Sequence, residues 1–323
     1  MPSLLVIGHK DSPLVHHIAA ELNADAVTFT ASQFADAEAS LTLVHPEKIS
    51  QAQIILVYQF VRRDVRQDLC AGSINDQLIG LFECIDQLKI LGAHSIKVLL
   101  PYLPYARHNQ SVYKQYDGAA FMVGRCLRAL GLDSIYACDL HAISMCPNYP
   151  LPLHNLSLEV FWNNVILQKI IQQHSMYDFC IVSPDEGGRD RAEKIASLLA
   201  LPTAFIRKTR VAADMAESYE LVGDVHGKQV VLIDDIVDTA RTAISACDLL
   251  LEQGATYVYG CFTHAVLAAD ALDRLDVSRF TKIFVTDTVI GCSQKQAHKI
   301  QVVSVNNFLA ERIRDLVGQT SIF

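Results

Sequence analysis

The chain has 323 residues, 51% of them hydrophobic, and a formal net charge of −8 at pH 7. That length allows two domains of ordinary size with substantial cores, the negative balance argues against general attraction to nucleic acid, and no apolar run approaches the roughly 20 residues that span a bilayer. The nine cysteines are scattered and in no CxxC pair, which fits reduced thiols in a cytoplasmic protein, and the opening MPSLLVIGHK carries too short an apolar run for a signal peptide.

Residues 4–7 read as a first strand and 12–22 as a helix with Ser12 as a candidate cap. Residues 33–38, Gln-Phe-Ala-Asp-Ala-Glu, read by themselves as an amphipathic surface segment. A strand over 54–58 precedes a polar loop, 59–71, in which Arg62, Arg63 and Arg66 are either a solvated cluster or an anion site. Ser73-Ile74-Asn75-Asp76 starts a helix running to about residue 91, with Gly92 beyond its end. The strand at 96–100 leads into Pro101-Tyr102-Leu103-Pro104-Tyr105-Ala106-Arg107-His108, a stiff loop in which Arg107 can stack on a base or clamp a phosphate. A helix over 115–130 ends at Gly131, and a strand over 134–138 ends in Asp139-Leu140-His141-Ala142. A histidine at a strand end is more often a hydrogen-bonded structural residue than a ligand. Cys138, His141 and Cys146 are zinc-ligand types, but no paired CxxC accompanies them. Residues 147–152, with proline at both ends, mark the passage to a second unit.

In that unit a strand over 178–182 leads to Ser183-Pro184-Asp185-Glu186-Gly187-Gly188-Arg189, where paired glycines let backbone approach a ligand, and a helix follows to residue 200. After a strand over 203–206, Arg207-Lys208-Thr209-Arg210 opens a loop reaching about residue 217. It is either a solvated basic turn or a loop that closes over a phosphate and stabilises developing charge. Residues 221–228, LVGDVHGK, lead into the most specific stretch of the chain, QVVLIDDIVDTART at 229–242. Val230 to Ile233 form a continuous apolar run, as expected of a strand buried on both faces. Asp234, Asp235 and Asp238 follow, then the small turn Thr239-Ala240-Arg241-Thr242, and Ala243, Cys247, Leu250 and Leu251 recur at helical spacing before Gly254. Carboxylates thus sit where a strand ends, and free N–H groups where a helix begins. Open α/β sheets bind ligands there, and the pair of features suits a sugar phosphate: carboxylates for the hydroxyls, N–H groups for the phosphate. A strand over 257–262 ends at Thr263-His264-Ala265, a helix is expected over 266–275, a strand over 283–286 precedes Asp287-Thr288, and 302–316 mixes strand and helix.

The 229–242 stretch resembles the ribose-5-phosphate/PRPP motif of the phosphoribosyltransferase fold, PRPP being 5-phosphoribosyl 1-pyrophosphate. The rest of the chain, over about residues 2 to 316, resembles the ribose-phosphate pyrophosphokinases, or PRPP synthetases. The segment at 33–38 is similar to their adenine-pocket segment Phe-Ser-Asp-Gly-Glu, keeping Phe34, Asp36 and Glu38 with Ala37 in place of glycine. Residues 101–107 match Pro-Tyr-x-x-Tyr-Ala-Arg, after which His108, Asn109 and Gln110 replace Gln-Asp and a basic residue. Asp-Leu-His-Ala at 139–142, Ser-Pro-Asp-x-Gly-Gly at 183–188, and Lys208 and Arg210 of the family's Lys-Arg-Arg loop are kept. Arg241 stands where the family usually has glycine, and Thr209 where it has the middle basic residue.

The resemblance implies an α/β fold of two tandem phosphoribosyltransferase-like domains, each with a central, mostly parallel sheet flanked by helices. The expected division is 1–147 for the ATP side, 148–300 for the ribose-5-phosphate side, and a tail, 301–323, packing back on the first domain. It implies pyrophosphoryl transfer from ATP to ribose 5-phosphate, with Lys208 and Arg210 catalytic. ATP would be bound by Phe34, Asp36, Glu38, Arg107 and His108. Asp234, Asp235, Asp238, Thr239, Ala240, Arg241 and Thr242 would bind ribose 5-phosphate, and His141 and Asp185 would hold Mg²⁺. The adenine segment would serve a neighbouring subunit, so a homo-oligomer is implied, a hexamer being most typical, with no nucleic-acid or membrane partner. Two alternatives share the fold: a phosphoribosyltransferase that consumes PRPP, and a non-catalytic, synthetase-like regulatory subunit motivated by the changes at 108 to 110.

Overall fold

The computed structural model describes residues 3–36, 38–62, 72–109, 118–173, 178–209, 218–291 and 297–319. The chain folds into two compact units, one of Met1–Leu156, Thr288–Gly291 and Ser304–Phe323, the other of Ser157–Asp287 and Cys292–Val303.

The first unit is built on β1 (Leu4–His9), α1 (Pro13–Leu22), β2 (Asp25–Gln33), β3 (Ala39–Leu43), β4 (Gln53–Val57), α2 (Ile74–Ile90), β5 (Ser95–Leu100), α3 (Ala119–Ala129), β6 (Ser134–Cys138) and β7 (Leu153–Leu156). Its seven-stranded sheet has the order β3-β2-β1-β4-β5-β6-β7 and is parallel except for β3. Every residue of β4 is buried, the pattern of a strand covered on both faces. Helix α2 starts in a full capping box: the Asp76 N–H donates to Ser73 Oγ, and Asp76 Oδ2 accepts from the Ser73 N–H at 2.6 Å. Ser12 holds the cap position of α1 but does not cap it. Its hydroxyl donates instead to Gln59 Oε1 at 2.7 Å, and Pro13, which needs no N–H partner, opens the helix.

The second unit repeats the plan with α4 (Glu159–Lys169), β8 (Phe179–Ser183), α5 (Arg189–Leu199), β9 (Thr203–Thr209), β10 (Ser218–Val222), β11 (Gln229–Val237), α6 (Arg241–Glu252), β12 (Tyr257–Ala265), α7 (Ala271–Val277), β13 (Lys282–Thr286) and β14 (Ile300–Val303). Its order is β10-β9-β8-β11-β12-β13-β14, parallel except for β10. The C-terminal helix α8 (Asn306–Gln319) belongs to the first unit, where Arg314 Nη1 meets Glu21 Oε2 of α1 at 2.8 Å. In each sheet the strand order reverses beside a central strand, between β1 and β4 and between β8 and β11. Those are the switch points where open sheets leave a crevice at their carboxyl ends. Among the described residues no helix is long and apolar enough to cross a membrane.

Several elements differ from the sequence expectation. The hairpin β2–β3, the edge strand β7 and helix α4 were not anticipated. Strand β9 runs on through Arg207, Lys208 and Thr209, because β10 pairs with it antiparallel, Lys208 opposite Tyr219. Strand β11 continues through Asp234 and Asp235 to Val237, so the carboxylates lie on the strand rather than beyond it. Helix α7 begins at Ala271, not at 266. Residues 266–270 are instead an irregular connection with Leu267 and Ala269 in the left-handed region at φ 48° and 54°, held because the Leu267 N–H donates to Val237 O at 3.0 Å. The expected helix over 115–130 is observed from Ala119, with 115–117 outside the described residues.

The single tryptophan of the chain, Trp162 on α4, is fully buried and donates its indole N–H to Thr263 Oγ1 on β12 at 3.0 Å. Its fluorescence therefore reports the second unit. Thr263→Val keeps the volume but orphans the buried indole N–H, at a cost of about 1–3 kcal/mol. The urea midpoint read by tryptophan fluorescence is expected to fall accordingly with an unchanged slope. An unchanged midpoint would remove this hydrogen bond from the stability of the unit.

Candidate active site

The second unit places eight of the sixteen sequence-predicted site residues, Asp185 and seven within 234–242, at its switch point. Asp234 and Asp235 are successive residues of β11, so their side chains leave the strand on opposite faces. Asp234 nevertheless turns back: its Oδ1 accepts from the Asp235 N–H at 2.9 Å. Both Oδ1 atoms then face one guanidinium. Arg191 Nη1, from the first turn of α5, lies 3.5 Å from Asp235 Oδ1 and 3.8 Å from Asp234 Oδ1. Arg191 is only 15% exposed, Asp235 6% and Asp234 19% at the side chain. Burial, then the charge of Asp235, holds the Asp234 carboxyl well above the usual range. Arg191 opposes that shift, and Asp185 adds to it.

The turn after β11 is fixed from outside. The carbonyls of Val237 and Asp238 accept from the N–H groups of Leu267 and Ala268, each at 3.0 Å. Thr239 O accepts from Arg274 Nη1 at 3.1 Å, and Arg274 is itself paired with Asp270 at 2.6 Å. Ala240 takes the left-handed conformation, φ 62°, and its carbonyl accepts from Ile244 N–H to start α6. The N–H groups that open α6 have no carbonyl one turn back, which makes them donors for an anion. Thr239, Arg241 and Thr242 are exposed, Asp238 is half-buried and Ala240 buried. Arg241 opens the helix, and the left-handed step falls on Ala240, so arginine in place of glycine at 241 carries no backbone strain.

At the end of β8, Ser183 Oγ donates to Asp185 O at 2.7 Å and the Gly188 N–H donates to Asp185 Oδ1 at 2.9 Å. A Cβ at Gly188 would lie 2.6 Å from Ser183 Oγ, so a side chain there would displace the hydroxyl that donates to Asp185 O. Asp185 is exposed. Arg189 stacks on the Phe205 ring at 4.9 Å and pairs with Glu193 at 2.6 Å. The backbone of Lys208 lies on β9; its side chain, and all of Arg210, lie outside the described residues.

In the first unit the expected ATP residues occupy two places. Phe34, Asp36 and Glu38 form the tip of the β2–β3 hairpin, where the Phe34 N–H donates to Glu38 O at 2.8 Å and the Glu38 N–H donates to Asp36 Oδ1 at 3.2 Å. All three are exposed, Phe34 at 62%; Ala37 lies outside the described residues. Arg107 and His108 are exposed in the loop after β5, where Tyr105 is left-handed at φ 64° and its hydroxyl donates to Asn75 Oδ1. Gln110 lies outside the described residues. His141 is exposed after β6, on a turn held by the Leu140 N–H donating to Asn155 Oδ1 at 2.8 Å.

Sequence reasoning passed over Arg191 and Arg274. A signal existed for the first: two buried carboxylates demand a nearby cation, and α5, which follows the strand beside β11, carries arginines in its first turn. Arg274 had no local signal, because it acts through the carbonyl of a residue 35 positions away.

Because the Asp234 carboxyl is raised in the fold, the folded state holds more protons than the unfolded chain above the ordinary carboxylate range near pH 4, and stability falls as pH rises from there. Asp234→Asn keeps the acceptor for Asp235 N–H and removes that penalty. It is expected to raise Tm at pH 7, a gain of about 1 kcal/mol corresponding to roughly 2–4 °C, with the difference closing toward pH 4. Thermal unfolding at both pH values checks this, and an equal shift at both would contradict it.

Comparison with known proteins extends over the whole chain. A family model for the N-terminal domain of ribose phosphate pyrophosphokinase matches residues 3–131, and one for the phosphoribosyl synthetase-associated domain matches 180–322. The ribose-phosphate pyrophosphokinase of Oceanobacillus iheyensis is 32% identical over 312 residues, 96% of this chain and 93% of the relative. Ribose-phosphate pyrophosphokinase 1 of Lactococcus lactis is 31% identical over 300 residues, 93% and 88% of the two chains. The crystal structure of phosphoribosylpyrophosphate synthetase from Mycobacterium smegmatis superposes with a TM-score of 0.84 at 28% identity, covering 98% of this chain and 100% of that one. The motifs, the two similar sheets and these relatives agree, and the chain belongs to the ribose-phosphate pyrophosphokinase family.

Proposed function

We propose that this chain transfers the β,γ-pyrophosphoryl group of ATP to the C1 hydroxyl of ribose 5-phosphate, giving PRPP and AMP. The C1 oxygen bonds to the β-phosphorus as the bond from that phosphorus to the α,β-bridging oxygen breaks; AMP leaves with that oxygen and the hydroxyl proton passes to solvent. The observation that carries the reading is the juxtaposition on β11 and α6 of a carboxylate pair with a preformed anion turn, in a chain that matches ribose-phosphate pyrophosphokinases over 96% of its length. That whole-length match favours synthesis over consumption of PRPP, and nothing in it favours a non-catalytic subunit.

The roles follow from the chemistry of each place. The turn 238–242 takes the 5-phosphate on the N–H groups that open α6, with Arg241 adding a charge. Asp234 and Asp235 accept from the ribose hydroxyls and fix the sugar's rotation about its phosphate. Lys208 and Arg210 meet the negative charge that grows around the transferred phosphorus, so catalysis is positioning and electrostatics without a covalent intermediate. Phe34, Asp36, Glu38, Arg107 and His108 form the ATP side, the hairpin tip serving a neighbouring subunit of a homo-oligomer, a hexamer by family resemblance, in the cytoplasm.

Mg²⁺ binds by one or two carboxylates together with waters and substrate phosphates, rather than in an all-protein cage. The donor at Asp185 fits that habit: it is an exposed carboxylate at a strand end, tied through Oδ1 to Gly188. Asp185 and His141 would each offer a ligand to Mg²⁺, which when bound neutralises phosphate charge.

The test is AMP release from ATP and Mg²⁺ with and without ribose 5-phosphate. The wild type is expected to need the sugar phosphate. Lys208→Ala should lose roughly 10²–10³-fold in kcat, the range for removing one preorganised donor to a charged transition state, while still binding ribose 5-phosphate. Sugar-independent AMP release, or full activity in the variant, would overturn the assignment.

A further inference from the structure

The Asp234–Asp235 pair is not self-sufficient. Two carboxylates 19% and 6% exposed share the end of one strand, with the exposed carboxylate of Asp185 adding a third negative charge. Left alone, such a pair relaxes by taking up a proton, and a protonated carboxyl donates where a sugar hydroxyl needs an acceptor. Rotation about each terminal side-chain torsion is also soft, so the plane of each carboxylate is undefined unless something holds it. Arg191 opposes the proton uptake and supplies the missing hold on the carboxylates. Its guanidinium lies within 4 Å of an Oδ1 atom from each aspartate, and its Nη1 hydrogen bond to Asp235 fixes that carboxylate. Asp234 is fixed at the same oxygen by the Asp235 N–H. The guanidinium itself sits on α5, whose Ala192, Ile195, Ala196 and Leu199 are buried, so it is anchored by packing as well as by charge.

We propose that Arg191 is a positioning residue for ribose recognition: by engaging Oδ1 of both aspartates it orients one acceptor edge for each of two neighbouring sugar hydroxyls, and so makes the site selective for a vicinal diol over a deoxy sugar. The inference rests on the ribose-5-phosphate reading of the site and adds to it the origin of sugar selectivity. Lysine at 191 keeps the charge but not the planar fork, so it restores affinity in part and orientation poorly.

The experiment compares ribose 5-phosphate with 2-deoxyribose 5-phosphate, by calorimetric binding to the full chain and by AMP release, in wild type, Arg191→Met and Arg191→Lys. Arg191→Met should weaken ribose 5-phosphate about tenfold, the size of one charge-assisted hydrogen bond. Its effect on 2-deoxyribose 5-phosphate should be much smaller, so that the preference between the two sugars collapses, while KM for ATP stays within about twofold. Arg191→Lys should fall between the wild type and Arg191→Met. The Trp162 fluorescence unfolding profile identifies any variant whose second unit is not folded, and Arg191→Lys then carries the test. An equal loss on both sugars would make Arg191 merely structural and overturn the inference, as would an undiminished preference in a variant that still makes PRPP. A wild type that neither binds nor turns over ribose 5-phosphate would instead overturn the functional reading beneath it.

Discussion

Two carboxylates at the end of a buried strand carry more negative charge than the surrounding fold can hold comfortably. Asp234 and Asp235 cannot separate, because they are successive residues of β11, and β11 cannot shift, because it is paired with β8 and β12 on both sides. One guanidinium answers two carboxylates, and the raised proton affinity of Asp234 records the imbalance. A site in this condition gains from any ligand that brings hydrogen-bond donors, and a sugar edge brings two. Stability is given up locally so that the ligand finds acceptors already in place, the usual relation between a functional site and the fold that bears it.

The same strand imposes the geometry of the phosphate turn. Three successive carbonyls, those of Val237, Asp238 and Thr239, are each taken by a donor from the segment after β12: two backbone N–H groups and the Arg274 guanidinium. With its carbonyls turned to that side, the backbone presents the N–H groups that start α6 to the opposite one. The arrangement has a conformational cost. Ala240, Leu267 and Ala269 are all left-handed without being glycine, at about 1–2 kcal/mol each. Regular helix over 266–270 would avoid the strain in Leu267 and Ala269, but it would turn away the donors that hold the turn. The propensity of that segment is helical, and the tertiary requirement overrides it.

The legible parts of the chain were those where chemistry and periodicity coincide locally. The apolar run before Asp234, the helix start at Ser73, and the glycines after α2, α3 and α6 all act within a few residues. The illegible parts depend on distant partners. Whether Asp234 lies on a strand or beyond it depends on how far β12 runs alongside. Whether 207–209 is loop or strand depends on β10. Ser12 reads as a cap by type, yet its hydroxyl is taken by Gln59, 47 residues away. Strand β7, with the sequence LHNL, has no strand signature of its own and exists because β6 offers an edge. Arg191 and Arg274 act across the same kind of distance, pairing with Asp235 and with the Thr239 carbonyl 44 and 35 residues away, so no local pattern points to them.

The first unit shows how little of this chemistry belongs to the scaffold. Its central strand β4 and the residues directly after it read QIILVYQFV over 53–61, against QVVLIDDIV over 229–237 in the second unit. Both strands begin at a glutamine that is 7% exposed, and both stand next to the switch point of a sheet with the same strand order. Tyr58 and Gln59 occupy the places of Asp234 and Asp235. There the demand for a cation disappears: Gln59 accepts from the neutral Ser12 hydroxyl, and the Tyr58 hydroxyl donates to Gln77 O at 2.7 Å. Two differences at a strand end therefore replace a pair of carboxylates by two neutral side chains bonded within the unit. The first unit's expected nucleotide residues lie elsewhere, on the β2–β3 tip and in the loop after β5. The repeated fold supplies two equivalent strand ends, and the residues there give them different chemistry: a carboxylate pair in the second unit, a tyrosine and a glutamine in the first.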